Sequence, residues 1–354
     1  DQIRDIAESW GVPAEQLAYV GDTAYDMDHA HAAGAVAIAA AWAETARRLR
    51  RPGRARCSRP SPSWPAGWSA MSAPDRVVIL SRYQARPLLA LRGNTETATT
   101  SPDLGMTTVT VRLSSDGVVF PDGELVAWGD VARIAASENG CFRVEPDGID
   151  DIRVFSEATG WVRSLMPTTG APTMLVSGIP MHRIKGIDPL ADTARKIAAI
   201  APVTGVVLDT ATGLGYTAIA AARTAERVVT IELDPAAIEI ARQNPWSREL
   251  FENPRIELVS GDAFEVVRDL PDATFSRIIH DPPAMSLGGE LYSRELYRQL
   301  RRVVRPNGRV FHYIGDPESA SGRNITRGVV QRLDEAGFRR VVRHPEAFGV
   351  VAFP

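Results

Sequence analysis

From about residue 190 onward the sequence alternates short apolar runs with stretches of helical periodicity, and an acid stands at or just past the end of four successive runs. The runs Gly205–Asp209, Arg227–Ile231, Ile256–Ser260, Arg277–His280 and Arg309–Ile314 read as strands. Helical patterns cover Asp192–Ile200, Tyr216–Thr224, Pro235–Gln243, Ala263–Leu270, Ser293–Val304 and Asn324–Glu335. This alternation constrains the fold severely, because strands separated by helices pair in parallel and need cover on both faces. Two closing runs, Arg339–Arg343 and Gly349–Phe353, predict an antiparallel hairpin at the sheet edge. Ligands of open α/β sheets bind outside the carboxyl ends of the strands. Asp209, Glu232, Asp262 and Asp281 are therefore expected to line one crevice, although each acid alone also reads as a helix cap.

The residues around these acids sharpen the expectation. The first strand breaks into Thr210-Ala211-Thr212-Gly213-Leu214-Gly215-Tyr216, where Gly213 and Gly215 permit a tight turn and close approach of a ligand to the backbone. Glu232, ending the second strand, stands where a ribose diol would be gripped by two charge-assisted hydrogen bonds. Asp262, after the third, can accept from an exocyclic adenine amine. After the fourth comes Asp281-Pro282-Pro283, whose prolines fix φ and remove two donors, leaving a stiff corner that presents carbonyls and a carboxylate.

Together these residues resemble a class I S-adenosylmethionine-dependent methyltransferase over about residues 180–354. The resemblance implies an α/β fold, a Rossmann-like seven-stranded methyltransferase sheet, with a mostly-β accessory domain and a short α/β fragment before it. It implies S-adenosyl-L-methionine as cofactor, with Asp209, Gly213 and Gly215 around its methionine part, Glu232 on the ribose and Asp262 on adenine. Thr210, Tyr216 and Ala263 complete the expected cofactor-binding set, and Asp281, Pro282 and Pro283 form the expected catalytic corner. Two departures stand out: Ala211 replaces the usual first glycine of the loop, and Ala284 follows Pro-Pro where amino-group methyltransferases carry an aromatic residue. Methyl transfer is mainly a matter of alignment, and Asp281 is expected to orient the acceptor, an amine or other heteroatom in RNA or a small molecule.

With the segment Met181-His182-Arg183-Ile184-Lys185, the sequence over residues 72–354 resembles a predicted methyltransferase family of archaea and some bacteria with spermidine-synthase-like affinities. His182 and Arg183 would suit an anionic substrate or the cofactor carboxylate. The nearest alternative is a spermidine-synthase-like aminopropyltransferase, which uses the same fold with a decarboxylated donor. That class carries an Asp-Ser-x-Asp-Pro-type stretch, so the single acid before Pro-Pro favours methyl transfer. A nicotinamide dehydrogenase fits less well, lacking the full Gly-x-Gly-x-x-Gly spacing, and a non-catalytic cofactor-binding module is the remaining alternative.

The rest of the chain divides by composition. Residues 1–42 carry seven acids and one arginine, whereas 43–70 carry seven arginines and one acid among prolines, serines and tryptophans. Domains are expected at 1–42, 72–180 and 181–354, with 43–71 as an Arg/Pro-rich linker. Tyr19-Val20-Gly21-Asp22-Thr23-Ala24-Tyr25-Asp26 resembles the last motif of haloacid-dehalogenase-type phosphohydrolases, in which the acids matching Asp22 and Asp26 hold Mg²⁺. No Asp-x-Asp nucleophile motif precedes it, so these acids are read as vestigial and no metal site is expected. Residues 72–180 show short alternating runs and turn signals, which predict a mostly-β accessory domain.

The large C-terminal part is close to neutral and lacks the charge of a broad nucleic-acid footprint. No run reaches the roughly 18 apolar residues of a membrane helix, and two cysteines form no disulfide framework. A cytoplasmic location is expected, and the oligomeric state is left open. Lysine occurs at two positions, Lys185 and Lys196, against 38 arginines, which reads as a coding bias.

Overall fold

The computed structural model describes residues 18–21, 36–39, 77–283, 289–317 and 319–354. The chain divides into two compact units, Asp1–Met71 and Ser72–Pro354. In the first, β1 (Ala18–Gly21) and β2 (Val36–Ala39) pair in parallel. Asp22, Asp26 and the Arg-rich segment 43–70 lie outside the described residues.

The second unit opens with β3 (Ile79–Ser81) running straight into α1 (Arg82–Leu91), which Ser81 and Gln84 cap reciprocally. An antiparallel meander follows: β4 (Thr97–Thr100), β5 (Val109–Leu113), β6 (Gly117–Val119) and β7 (Leu125–Ala127). Then come α2 (Trp128–Ala136), β8 (Cys141–Glu145) and β9 (Gly148–Asp151), the last two forming a sheet with β3. Val78, Leu88, Val111, Trp128 and Ile134 share a small core here. A further antiparallel sheet joins β10 (Arg153–Phe155), β11 (Val162–Met166), β12 (Thr173–Val176) and β13 (Ile179–Pro180).

After α3 (Pro189–Ala199) the chain builds a seven-stranded sheet. Its first four strands alternate with helices: β14 (Val206–Asp209), α4 (Tyr216–Ala222), β15 (Arg227–Glu232), α5 (Pro235–Gln243), a short α6 (Arg248–Glu252), β16 (Ile256–Ser260), α7 (Ala263–Asp269) and β17 (Phe275–His280). The chain then runs through α8 (Arg294–Val303), β18 (Val304–Tyr313), α9 (Ala320–Glu335), β19 (Arg340–His344) and β20 (Gly349–Phe353). The spatial order is β16-β15-β14-β17-β18-β20-β19, with β20 antiparallel to both neighbours. From β14 the chain steps outward through β15 and β16, then crosses back to β17 on the other side. The switch point therefore lies between β14 and β17, where such sheets open a crevice.

Period-two alternation sends adjacent residues to opposite faces. Val207, Val228, Ile279, Phe311 and Val351 enter one core with Ala218, Ile219 and Ile240 of α4 and α5. Leu208, Val229, Ile278, Val310 and Val350 enter the other with Leu296, Leu300, Val329 and Leu333 of α8 and α9. Ile152, Leu165 and Met174 of the β-rich part belong to the first of these cores, so no packing boundary falls at residue 180.

One buried carboxylate links the two parts. Asp234 caps α5 through the Ala236 amide, accepts from Ser156 Oγ at 2.8 Å and pairs with Arg163 at 2.6 Å. Both side chains of that ion pair are almost wholly excluded from water, at 7% and 4% exposure. Removing one partner of such a pair strands a buried charge at a cost of about 3–5 kcal/mol. Asp234→Ala should lower the urea-unfolding free energy by about that much, with Arg163→Met recovering part of it in the double variant. An Asp234→Ala protein as stable as wild type would refute the linkage.

Candidate active site

A cavity of about 260 Å³ opens at the switch point between β14 and β17. Ala211, Thr212 and Gly213, leaving β14, form one wall, and Asp281, Pro282 and Pro283, leaving β17, form the wall opposite. Met181 and His182 come from the segment after β13, and Tyr292, Tyr313 and Asp316 close the side beyond β17. Gly213 and Gly215 have φ of +52° and +78°, a left-handed region that L side chains avoid. A Cβ on Gly215 would lie 2.8 Å from the Leu250 side chain, and one on Gly213 would lie 3.3 Å from the Met181 methyl. Gly213 thus brings bare backbone to the cavity, whereas Gly215 makes room for the buried Leu250 side chain.

The four strand-end acids share the carboxyl edge of the sheet, yet among the described residues Asp281 alone of the four lines the cavity. Asp209 is fully buried beneath the loop, where its Oδ2 accepts from the Thr217 and Thr230 hydroxyls at 3.0 Å each. Burial outweighs those bonds and pushes its carboxyl up to about 7, with Asp281 adding to the rise. Glu232 accepts from the Gly213 amide at 2.9 Å and from the Asp234 amide at 2.9 Å, so it braces the glycine turn; burial raises its pKa against those two bonds. Asp262 caps α7 through the Phe264 amide, and Ala263 is buried in the helix start behind it.

The remaining expected residues divide in the same way. Tyr216 lines the cavity with its ring, while its hydroxyl donates to the Pro172 carbonyl at 2.8 Å and accepts from Asn244. Thr210 is buried against His280, its Oγ 2.6 Å from Nδ1. The His280 Nε2 bonds the Leu291 carbonyl at 2.7 Å, which fixes Nδ1 as the acceptor for Thr210. Desolvation pushes this imidazole down to about 4, so it stays neutral and structural. His182 lines the cavity, with Nδ1 2.9 Å from Thr173 Oγ; burial, then the Lys196 ammonium, pushes it down to about 3. Arg183 does not line the cavity: it pairs with Asp192 at 2.9 Å, donates to the Glu346 carbonyl and stacks on Phe348.

The main feature missing from the sequence reading is the partner of Asp281. Lys196 Nζ lies 2.6 Å from its Oδ2 and 3.0 Å from Asp192 Oδ2, and 4.6 Å from the centre of the Tyr313 ring. Asp192 in turn takes Arg183, so two carboxylates and two cations alternate along one chain of contacts. Burial opposes the charge on Lys196, but the two acids outweigh it and raise its pKa. The i,i+4 spacing of Asp192 and Lys196 on α3, in a chain with one other lysine, was the available signal.

A doubly wound sheet with a glycine turn and an acidic Pro-Pro corner at its switch point defines a Rossmann-like α/β domain. Residues 196–332 match the spermine/spermidine synthase domain family. An uncharacterized protein of Methanocaldococcus jannaschii is 42% identical over 238 residues, covering 66% of this chain and 80% of that protein. The chain belongs to the same family as that protein. The polyamine aminopropyltransferase of Aeropyrum pernix is 28% identical over 133 residues, 36% of this chain, and the match spans 40% of that enzyme's length. Among solved structures, a spermidine synthase bound to the transition-state analogue AdoDATO aligns at 20% identity with a TM-score of 0.47, covering 58% of this chain and 74% of that one.

These matches overturn the methyltransferase reading in favour of its aminopropyltransferase alternative. The physical reason is that a glycine turn and acids at strand ends form a sequence pattern that is silent about which carbon of a sulfonium donor would react. No helix among the described residues is long and apolar enough to cross a membrane.

The raised carboxyl of Asp209 has a consequence for stability. The folded protein holds this proton up to pH about 7, whereas the unfolded chain releases it near 3.8. Its stabilising contribution is complete below pH 3.8 and fades as pH rises through about 7. Asp209→Asn should match wild type in melting temperature at pH 3.5 and exceed it at pH 8. Equal differences at both pH values would show that the carboxyl titrates normally.

Proposed function

We propose that the protein is an aminopropyltransferase, moving the aminopropyl group of decarboxylated S-adenosylmethionine to an amine. The observation carrying this reading is the spermine/spermidine synthase match over 196–332, a span holding Lys196, the glycine turn and the Asp-Pro-Pro corner. The charge of the cavity agrees with it. Among the described residues its lining holds the carboxylates of Asp281 and Asp316 and neither lysine nor arginine. A methionine carboxylate would find no cationic side chain there, whereas a donor ending in a bare ammonium meets acids.

The sulfonium supplies the activation, and the protein supplies alignment. Gly213 and its neighbours would take the nucleoside end, with Glu232 released from the turn to the ribose and Asp262 toward the base. Lys196 engages Oδ2 of Asp281, so an acceptor amine would be held at Oδ1 with its lone pair toward the donor methylene carbon. The amine nitrogen bonds that carbon as the carbon–sulfur bond breaks, methylthioadenosine leaves, and the ammonium proton passes by way of Asp281 to solvent. The rigid Pro282-Pro283 corner fixes the carboxylate without the entropy of a mobile loop.

Asp281→Ala should reduce methylthioadenosine release by about 10²–10⁴-fold, while donor affinity measured by calorimetry stays within a few-fold. Wild-type turnover in that variant would remove Asp281 from the mechanism. Absence of methylthioadenosine release by the wild-type protein, across a broad set of amines, would remove the activity itself.

A further inference from the structure

We infer, resting on the aminopropyltransferase reading, that the acceptor is a monoamine with an apolar body and not a diamine or polyamine. Polyamines carry several ammonium groups at neutral pH, and each one taken from water needs its own anionic partner. The acid facing the reaction corner already has one. Lys196, 4% exposed, sits against Asp281 and Asp192, and Arg183 completes a balanced set of two positive and two negative side chains. The Lys196 ammonium also faces the Tyr313 ring, so an internal cation occupies the carboxylate and π-face that an incoming second ammonium would use. Beyond the corner the described lining is apolar at Val176, Ile179, Ile314 and Ile325, and its other carboxylate, Asp316, is the one the donor's own ammonium would take. One neutral amine nitrogen fits against Asp281 Oδ1 with a hydrocarbon tail behind it, and a distant ammonium would be left unpaired among those side chains.

The test compares n-butylamine with 1,4-diaminobutane, and n-hexylamine with spermidine, as acceptors with decarboxylated S-adenosylmethionine, following methylthioadenosine release at pH 8.5. The same amines are titrated calorimetrically into protein saturated with methylthioadenosine. The monoamine of each pair should show kcat/KM higher by about ten-fold or more, a difference of one decade in effective affinity, and should bind where the diamine does not. Lys196→Met, which removes the internal cation, should shrink or reverse that ratio.

Equal or better use of the diamine or spermidine by the wild-type protein would overturn the inference and leave the aminopropyltransferase reading standing. No release with any amine would overturn both. A folded Lys196→Met protein with an unchanged ratio would show that Lys196 does not set the preference. If that variant fails to fold, the wild-type comparison decides alone.

Discussion

Asp234 is the residue on which the geometry of the site depends. Its side chain ends helix α5, accepts from Ser156 and pairs with Arg163 in the β-rich part, and its amide donates to Glu232. Glu232 then holds the Gly213 amide, so a continuous run of bonds leads from the β11 strand to the glycine turn. Buried charges need partners, and here the partners of Asp234 come from both parts of the unit. The turn is thereby placed by groups distant in sequence and not by its glycines alone. The glycines permit the conformation, and the carboxylates select it.

Much of the sheet could be read from periodicity. The expected strands at Ile256–Ser260 and Gly349–Phe353 and the helix at Pro235–Gln243 have the observed bounds, because each is flanked by caps, prolines or glycines that leave little freedom. The strand read as Arg309–Ile314 begins earlier, at Val304, which pairs with Phe275 before an irregularity around Pro306 and Gly308, the ladder resuming at Arg309. Helix α1 escaped notice for a similar reason: Pro87 lies inside it, a residue that normally argues against a helix. The short strands β3, β9 and β13 have too few residues to show a period.

The site was legible only where local sequence dictates local geometry. Gly213, Gly215 and the Pro-Pro corner fall in this class. What the acids do was not, because a carboxylate at a strand end can cap a helix, brace a turn or face a ligand with the same sequence signature. Asp262 does the first and Glu232 the second, while Asp281 lines the cavity. The Lys196–Asp281 contact joins residues 85 apart and has no local trace, and the scarcity of lysine, which reads as a coding bias, leaves one of two lysines at the centre of the charge network.

His280 adds a final point about how the corner is held. Its ring bridges Thr210 on one side of the crevice and Leu291 on the other, Nε2 donating to the carbonyl while Nδ1, bare in the neutral ring, accepts from the threonine hydroxyl. Desolvation holds the ring down to about 4, so this bridge keeps one protonation state across the neutral range. A proton gained at Nδ1 would turn the threonine hydroxyl from donor to acceptor and leave the Leu291 contact in place, so the two sides of the bridge differ in their sensitivity to acid.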